Sequence, residues 1–148
     1  MVKLRNFELG DASALQQEHH RNMSIEEIKS MICDWNKLEY GGKYFEMFAI
    51  IVGDKIAGEI SLYQLSDSVV SIGLEVFLRF RGQGFGKQAA MLALEMCSDK
   101  GYKIACHQVL SDNIPSIALN KSLGFETDMY RYKNQKNKDV YIFLKSLK

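Results

Sequence analysis

Proline occurs once in this 148-residue chain, at Pro115, tryptophan once, at Trp35, and cysteine three times. With so little proline and no low-complexity run or repeat, no linker is visible, and the length fits a single domain over residues 1–148, burying roughly two-thirds of its unfolded surface. Cys33, Cys97 and Cys106 are odd in number, show no Cys-x-x-Cys or Cys/His ligand spacing, and lie within apolar segments. They read as buried free thiols of a reducing compartment, and no metal site is suggested. No apolar run approaches about 18 residues, so no membrane span is expected. The first residues carry Lys3, Arg5 and Glu8 with no apolar core of about 7–15 residues, so a signal peptide is excluded and a cytoplasmic protein expected. Excess charge is lacking too: 19 basic residues stand against 18 acidic, scattered along the chain, and a nucleic-acid or membrane surface is not supported.

What is present is a glycine-rich run, Arg81-Gly82-Gln83-Gly84-Phe85-Gly86-Lys87, between an apolar strand-like segment and an amphipathic helix. Glycines let successive N–H groups converge on an anion at the positive end of a helix dipole, and each amide bonding a charged oxygen contributes about 1.5–3 kcal/mol. Arg81 and Lys87 add positive charge. The spacing excludes two familiar phosphate loops. A nucleotide P-loop needs its first glycine one residue before Gly82, and Ser or Thr where Gln88 stands. A dinucleotide fingerprint needs a small residue in place of Lys87.

Along the chain, Val2 to Phe7 alternates and predicts a first strand. Asp11 is a candidate cap for a short helix through His20, and Ser24 with Glu27 forms a capping-box pattern opening a helix toward Trp35. Tyr44 to Val52 and Ile56 to Leu65 read as a hairpin about Gly53-Asp54, and Val69 to Leu78 as the next strand. Phe85, Ala89, Leu92, Ala93 and Met96 recur at helical spacing, with Gly101 as terminator. Tyr102 to Leu110 is strand and Asn113 to Leu123 helix, with Asn113 as N-cap, Pro115 in the first turn and Gly124 ending it. Glu126 to Tyr132 and Val140 to Leu144 close the pattern as a strand pair. The expected fold is α+β: a mixed, mostly antiparallel sheet with a central parallel strand-helix-strand unit and helices on both faces.

The Arg81, Gly84 and Gly86 spacing resembles the acyl-CoA pyrophosphate loop of the GNAT acetyltransferase superfamily, Gln/Arg-x-x-Gly-x-Gly/Ala. Asn113 through Leu123-Gly124-Phe125 is similar to that family's Asn-led helix closing in Leu-Gly-Phe, and its Asn-x-x-Ser start resembles the branch of ribosomal-protein N-acetyltransferases. The resemblance covers the cofactor half, about Val69 to Phe125. It implies an acetyl-CoA-dependent N-acetyltransferase in which the amine attacks the thioester directly. The acceptor is an amine, on a small molecule or a peptide N-terminus. An idle acyl-CoA-binding sensor is the alternative.

Carried over by position, Val76, Phe77 and Leu78, at a bulge before the loop, hold the acetyl carbonyl and pantetheine through backbone amides. Arg81, Gly82, Gln83, Gly84, Phe85, Gly86 and Lys87 hold the pyrophosphate, with Asn113 and Ser116 as further cofactor-binding residues. Leu78 replaces the usual proline. The family's common tyrosine acid is replaced by Asn120, which cannot donate a proton as an acid near neutral pH. Ser116 is therefore either the group that meets the leaving thiolate or a second capping hydroxyl. The base position often acidic in relatives is Gln108. Glu75 is the preferred proton acceptor, with Glu59 as a further candidate and Tyr63 as a hydrogen-bonding group, each weighed against a solvated strand residue. His19 and His20 read as surface helix residues. Trp35, Tyr40 and Tyr44 are either an acceptor wall or ordinary packing, and an exposed final strand is a place for a second copy to pair.

Overall fold

The computed structural model describes residues 1–147. Its elements are strand β1 (Val2–Asn6), a 3-10 turn (Leu9–Asp11), helices α1 (Ala12–Glu18) and α2 (Ile25–Trp35), strands β2 (Glu39–Tyr40), β3 (Lys43–Val52), β4 (Lys55–Gln64) and β5 (Val69–Val76), and a second 3-10 turn (Leu78–Phe80). Helix α3 (Phe85–Asp99), strand β6 (Ile104–Leu110), helix α4 (Ile114–Ser122) and strands β7 (Tyr132–Lys133) and β8 (Asp139–Ser146) complete it.

One sheet runs β1-β3-β4-β5-β6-β8-β7, with β2 pairing β3; every described pair is antiparallel except β5 with β6. The α+β architecture read from the sequence is therefore the one observed. Helix α3 lies across β1, β3, β4 and β5 and covers a core that includes Phe48, Ile50, Ile60, Leu62 and Val70. Ser24 accepts from the Glu27 N–H while Glu27 accepts from the Ser24 N–H, so α2 begins in a reciprocal capping box.

The feature that matters most is a splay. Strand β5 pairs with β6 only from Val69↔Ile104 to Ser71↔Cys106, yet β5 runs on to Val76 and β6 to Leu110. The β4–β5 register is unbroken from Gln64↔Val70 to Gly58↔Val76, so no bulge in β5 causes it; the shift in this sheet lies between Ile50 and Ile51 of β3. Leu65 donates to Val69 O and Phe77 to Ala57 O, which places the odd-numbered β5 residues in bonding register with β4. By alternation, the N–H groups of Leu74 and Val76 face the gap toward β6.

Two segments depart from the pattern reading. Asp11 does not cap α1: its carboxylate accepts from Arg5 and from the Glu8 N–H, and α1 ends at Glu18, leaving His19 and His20 beyond it. Glu126 to Tyr132 is not a strand. A single bridge, Glu126↔Leu144, is followed by local bonds from the Met129 N–H to Thr127 Oγ1 and from the Tyr130 N–H to Asp128 Oδ1, with Met129 at φ 62. Such side-chain acceptors compete with a ladder, and β7 is reduced to Tyr132–Lys133.

Candidate active site

The splay opens a cleft of about 620 Å³ lined by Leu74, Glu75 and Val76 of β5, by the glycine loop, by the first turn of α3 and by Asn113, Pro115, Ser116 and Leu119 at the start of α4. Gly84 sits at φ 84 and its carbonyl accepts the first bond of α3, from the Gln88 N–H. The amides of Phe85, Gly86 and Lys87 therefore have no acceptor within the helix, and they present the positive end of a helix of 15 residues to the cleft. At Gly86 a Cβ would come within 3.2 Å of Val76 Cγ2, so glycine here lets α3 approach β5 closely.

Of the sequence-proposed cofactor residues, Val76, Arg81, Gly82, Gly84, Phe85, Gly86, Lys87, Asn113 and Ser116 line this cleft. Phe77, Leu78 and Gln83 do not. Phe77 is fully buried and its N–H is committed to Ala57 O; Leu78 points to solvent at 75% exposure; Gln83 reaches back toward Arg79 O. Arg81 is not a free cation either, since Nε donates to Val76 O at 2.8 Å and Nη2 to Glu75 Oε2 at 3.0 Å. Lys87 remains the cation at the head of α3.

At α4, Asn113 Oδ1 accepts from the Ser116 N–H at 3.2 Å, so the helix is capped by Asn113 and the Ser116 side chain is not needed for that bond. Asn120 is 1% exposed and faces the interior rather than the cleft. Its Nδ2 donates to Ser116 O at 2.8 Å, which turns Oδ1 toward His107 Nδ1 at 2.9 Å. Nδ1 must then carry the imidazole hydrogen. Burial drives the His107 pKa below the ordinary imidazole value, partly opposed by the Asn120 bond. His107 and Asn120 fill the splay with Ile72, Leu74 and Leu119 and tie β6 to α4.

Glu75 is 42% exposed in its side chain, lines the cleft, accepts from Arg81 and lies 3.9 Å from His19 Nε2. Glu59, expected in solvent, is 8% exposed, and its Oε2 is 2.9 Å from His20 Nε2. His20 is thus a half-buried partner of the sheet rather than a surface helix residue. Sequence spacing gave no signal for this: 39 positions separate the pair.

The aromatic residues divide. Trp35 stands 5.2 Å from Phe7 and 6.4 Å from His20 between ring centroids, Tyr40 packs on Tyr63 at the far end of β4, and the Tyr44 hydroxyl donates to Glu46 Oε1. Tyr63 is therefore remote from the cleft and leaves the list of candidate hydrogen-bonding groups. Cys33 is exposed, contrary to expectation, because it falls on the solvent side of α2; Cys97 and Cys106 are buried, and desolvation pushes the Cys97 thiol up to about 11. A thiol held neutral is a poor nucleophile.

The profile of the acetyltransferase (GNAT) domain matches residues 2–126, most of the chain. The protein belongs to the GNAT acetyltransferase family. A solved RimL ribosomal L7/L12 alpha-N-protein acetyltransferase in complex with coenzyme A superposes with a TM-score of 0.86 at 19% identity, covering 99% of this chain and 94% of that one. The acetyltransferase of Salmonella typhimurium that modifies the N-terminal serine of ribosomal protein L7/L12 gives 0.82 at 20% identity, with 99% and 95% covered. The microcin C7 self-immunity acetyltransferase MccE, in complex with acetyl-CoA and AMP, gives 0.85 at 20% identity, with 99% and 92% covered. No curated protein matches the chain. At these identities the likeness to solved structures is one of fold. As a GNAT enzyme the chain is an N-acetyltransferase with acetyl-CoA as its co-substrate. No helix among its described residues is long and apolar enough to cross a membrane.

Proposed function

We propose that this acetyltransferase acetylates an amine that is substantially neutral near pH 7, such as a peptide α-amine or a small-molecule amine of similar basicity, by direct attack on the bound thioester. The observation that carries the reading is the position of Glu75, which lines the cofactor cleft and on its other side approaches His19. One carboxylate thus borders the cleft on one side and His19 on the other, and this reading has the thioester in the cleft and the amine arriving from the His19 side. The amine nitrogen attacks the carbonyl carbon, the carbon–sulfur bond breaks, and the amine proton passes to Glu75 through a water. The Ser116 hydroxyl, at the mouth of α4, meets the departing thiolate. Leu74 and Val76, whose N–H groups face the gap, hold the acyl-pantetheine portion, while the loop from Arg81 through Lys87 holds the pyrophosphate.

The acceptor preference follows from magnitude. A lysine amine with pKa near 10.4 is roughly one part in a thousand neutral at pH 7.4, a deficit of about 4 kcal/mol, whereas an α-amine near 7.7–8.0 is roughly one-fifth to one-third neutral. Glu75 is half open to water and paired with Arg81, so the reading favours an amine that arrives already neutral. A covalent acyl-cysteine route is disfavoured by the burial of Cys97 and Cys106. The unpaired thiols suit a reducing, cytoplasmic compartment, and β8, whose outer edge is bordered by the short β7, offers an edge for a homodimer. Thiol release from acetyl-CoA is the test, with peptides bearing a free N-terminus set against Nα-blocked lysine peptides. Turnover confined to the lysine peptides sinks the acceptor assignment, and tight cofactor binding without turnover on any amine supports the sensor instead.

A further inference from the structure

A second cluster lies between β4–β5 and the end of α1 and meets the cofactor cleft at Glu75. Glu59 and Glu75 are directly paired across the two strands, so their carboxylates share one face. Like charges opposite one another on antiparallel strands are destabilising; Arg81 faces Glu75 at 3.0 Å, and Glu59 has no such salt bridge to Lys or Arg among the described residues. The chain supplies two imidazoles. On a regular helix consecutive side chains diverge by about 100°, but α1 stops at Glu18 and His19 departs to φ -145, ψ -46. Both rings consequently turn toward the sheet, with centroids 4.8 Å apart. His20 Nε2 is 2.9 Å from Glu59 Oε2 and His19 Nε2 is 3.9 Å from Glu75 Oε1. One ligand atom from each of His19, His20 and Glu59 lies within 4.8 Å of the others. His19 stacks on the buried Phe77 ring at 5.4 Å and 18°, which fixes its plane, while His19 and Glu75 remain open to solvent.

We propose that His19, His20 and Glu59, with Glu75 as fourth ligand, bind a divalent transition metal of the zinc class. Two imidazole nitrogens and two carboxylate oxygens suit borderline ions, whereas calcium and magnesium favour all-oxygen shells. Metal–ligand distances of about 2.0–2.2 Å put tetrahedral donors roughly 3.3 Å apart; the 2.9 and 3.9 Å separations bracket that figure, while the cluster as a whole spans up to 4.8 Å and must contract on the ion. The exposed side chain of Glu75 has room to close on the ion, and His19 can shift toward it within the plane of its stack on Phe77. The ion is not a cofactor of the reaction. Coordination through Oε1, with Arg81 already engaging Oε2, withdraws negative charge from the Glu75 carboxylate, so the metal-bound enzyme takes the amine proton less readily. That inhibitory consequence rests on the role proposed for Glu75; the binding itself does not.

The test uses the untagged full chain in a non-coordinating buffer. Co²⁺ is expected to give the intense visible bands of a tetrahedral N/O site, displaced by one equivalent of Zn²⁺, and His19→Gln and His20→Gln each to weaken Zn²⁺ binding at least tenfold. Neither histidine lines the cofactor cleft, so an unchanged acetyl-CoA affinity certifies the fold of each variant, and the exposed His19 gives a second variant should His20→Gln fail to fold. Zn²⁺ is also expected to inhibit thiol release, reversed by a chelator. Absence of tetrahedral Co²⁺ bands, or a folded His19→Gln variant that binds Zn²⁺ as well as the parent, overturns the site. Stoichiometric Zn²⁺ with undiminished turnover leaves the metal site standing and instead removes Glu75 from proton transfer.

Discussion

Arg81 holds Glu75 at the edge of the cleft, and the consequences of removing that carboxylate can be stated. If Glu75 orders the water that accepts the amine proton, Glu75→Gln lowers kcat/KM by roughly 10²–10⁴-fold. The loss shrinks as pH rises, because more amine arrives neutral; a pH–rate profile on both enzymes measures it, and a pH-independent loss assigns Glu75 to structure alone. Ser116 and its neighbour divide the labour at α4 in a way one pair of variants exposes. Asn113 accepts the capping bond from the Ser116 N–H, so Asn113→Ala is expected to cost about 0.5–2 kcal/mol of stability. Ser116→Ala is expected to leave the unfolding midpoint nearly unchanged while lowering kcat and kcat/KM together, with acetyl-CoA affinity retained. Unchanged kcat in a folded Ser116→Ala variant eliminates the thiolate role.

At the scale of elements, the readable parts were those whose signal is local. The Ser24/Glu27 box, the two-residue turn at Gly53-Asp54 and the Asn113 cap each involve groups a few positions apart, and their bonds or strand pairings are present. The segments misread are those where a side chain serves the backbone differently from its commonest use, as with Asp11, Thr127 and Asp128. The cluster of His19, His20, Glu59 and Glu75 was illegible because it depends on where α1 stops and on the β4–β5 register, neither of which the spacing reveals. The same holds for His107, whose partner Asn120 comes from the next helix. Its behaviour with pH follows from burial. The folded-state pKa is lowered, so the neutral ring favours folding above the ordinary imidazole range near 6.5, and that contribution is lost as pH falls, because the unfolded chain takes up the proton first. Stability measured by urea unfolding is expected to fall from pH 7 to 5 by up to about 1.4 kcal/mol per unit from this group. In His107→Gln the slope over that interval flattens; an identical slope shows that another group governs acid lability.

For the molecule as a whole, the sheet comes apart in its middle, in the proposed reading the cofactor enters there, and two measurements follow the consequence outward from the loop. Gly84→Glu places a negative charge at the head of α3 and is expected to weaken acetyl-CoA binding at least tenfold; Gly84→Ala carries the same strain at φ 84 without the charge and is expected to lose less. Equal affinity in a folded Gly84→Glu variant removes the loop from the binding site. The splay itself is visible to amide exchange. Phe77 donates to Ala57 within the β4 ladder, and its amide is expected to be protected with or without ligand. Leu74 and Val76 face the unpaired stretch between β5 and β6, so their amides have no strand partner there and exchange readily in the free protein. Acetyl-CoA threads that gap in the proposed reading and supplies acceptors to the same amides. Residue-resolved hydrogen exchange is therefore expected to show ligand-dependent protection at Leu74 and Val76, alternating with ligand-independent protection at Phe77. Uniform protection along β5, unaltered by acetyl-CoA, contradicts the use of these amides and moves the acyl group elsewhere in the cleft.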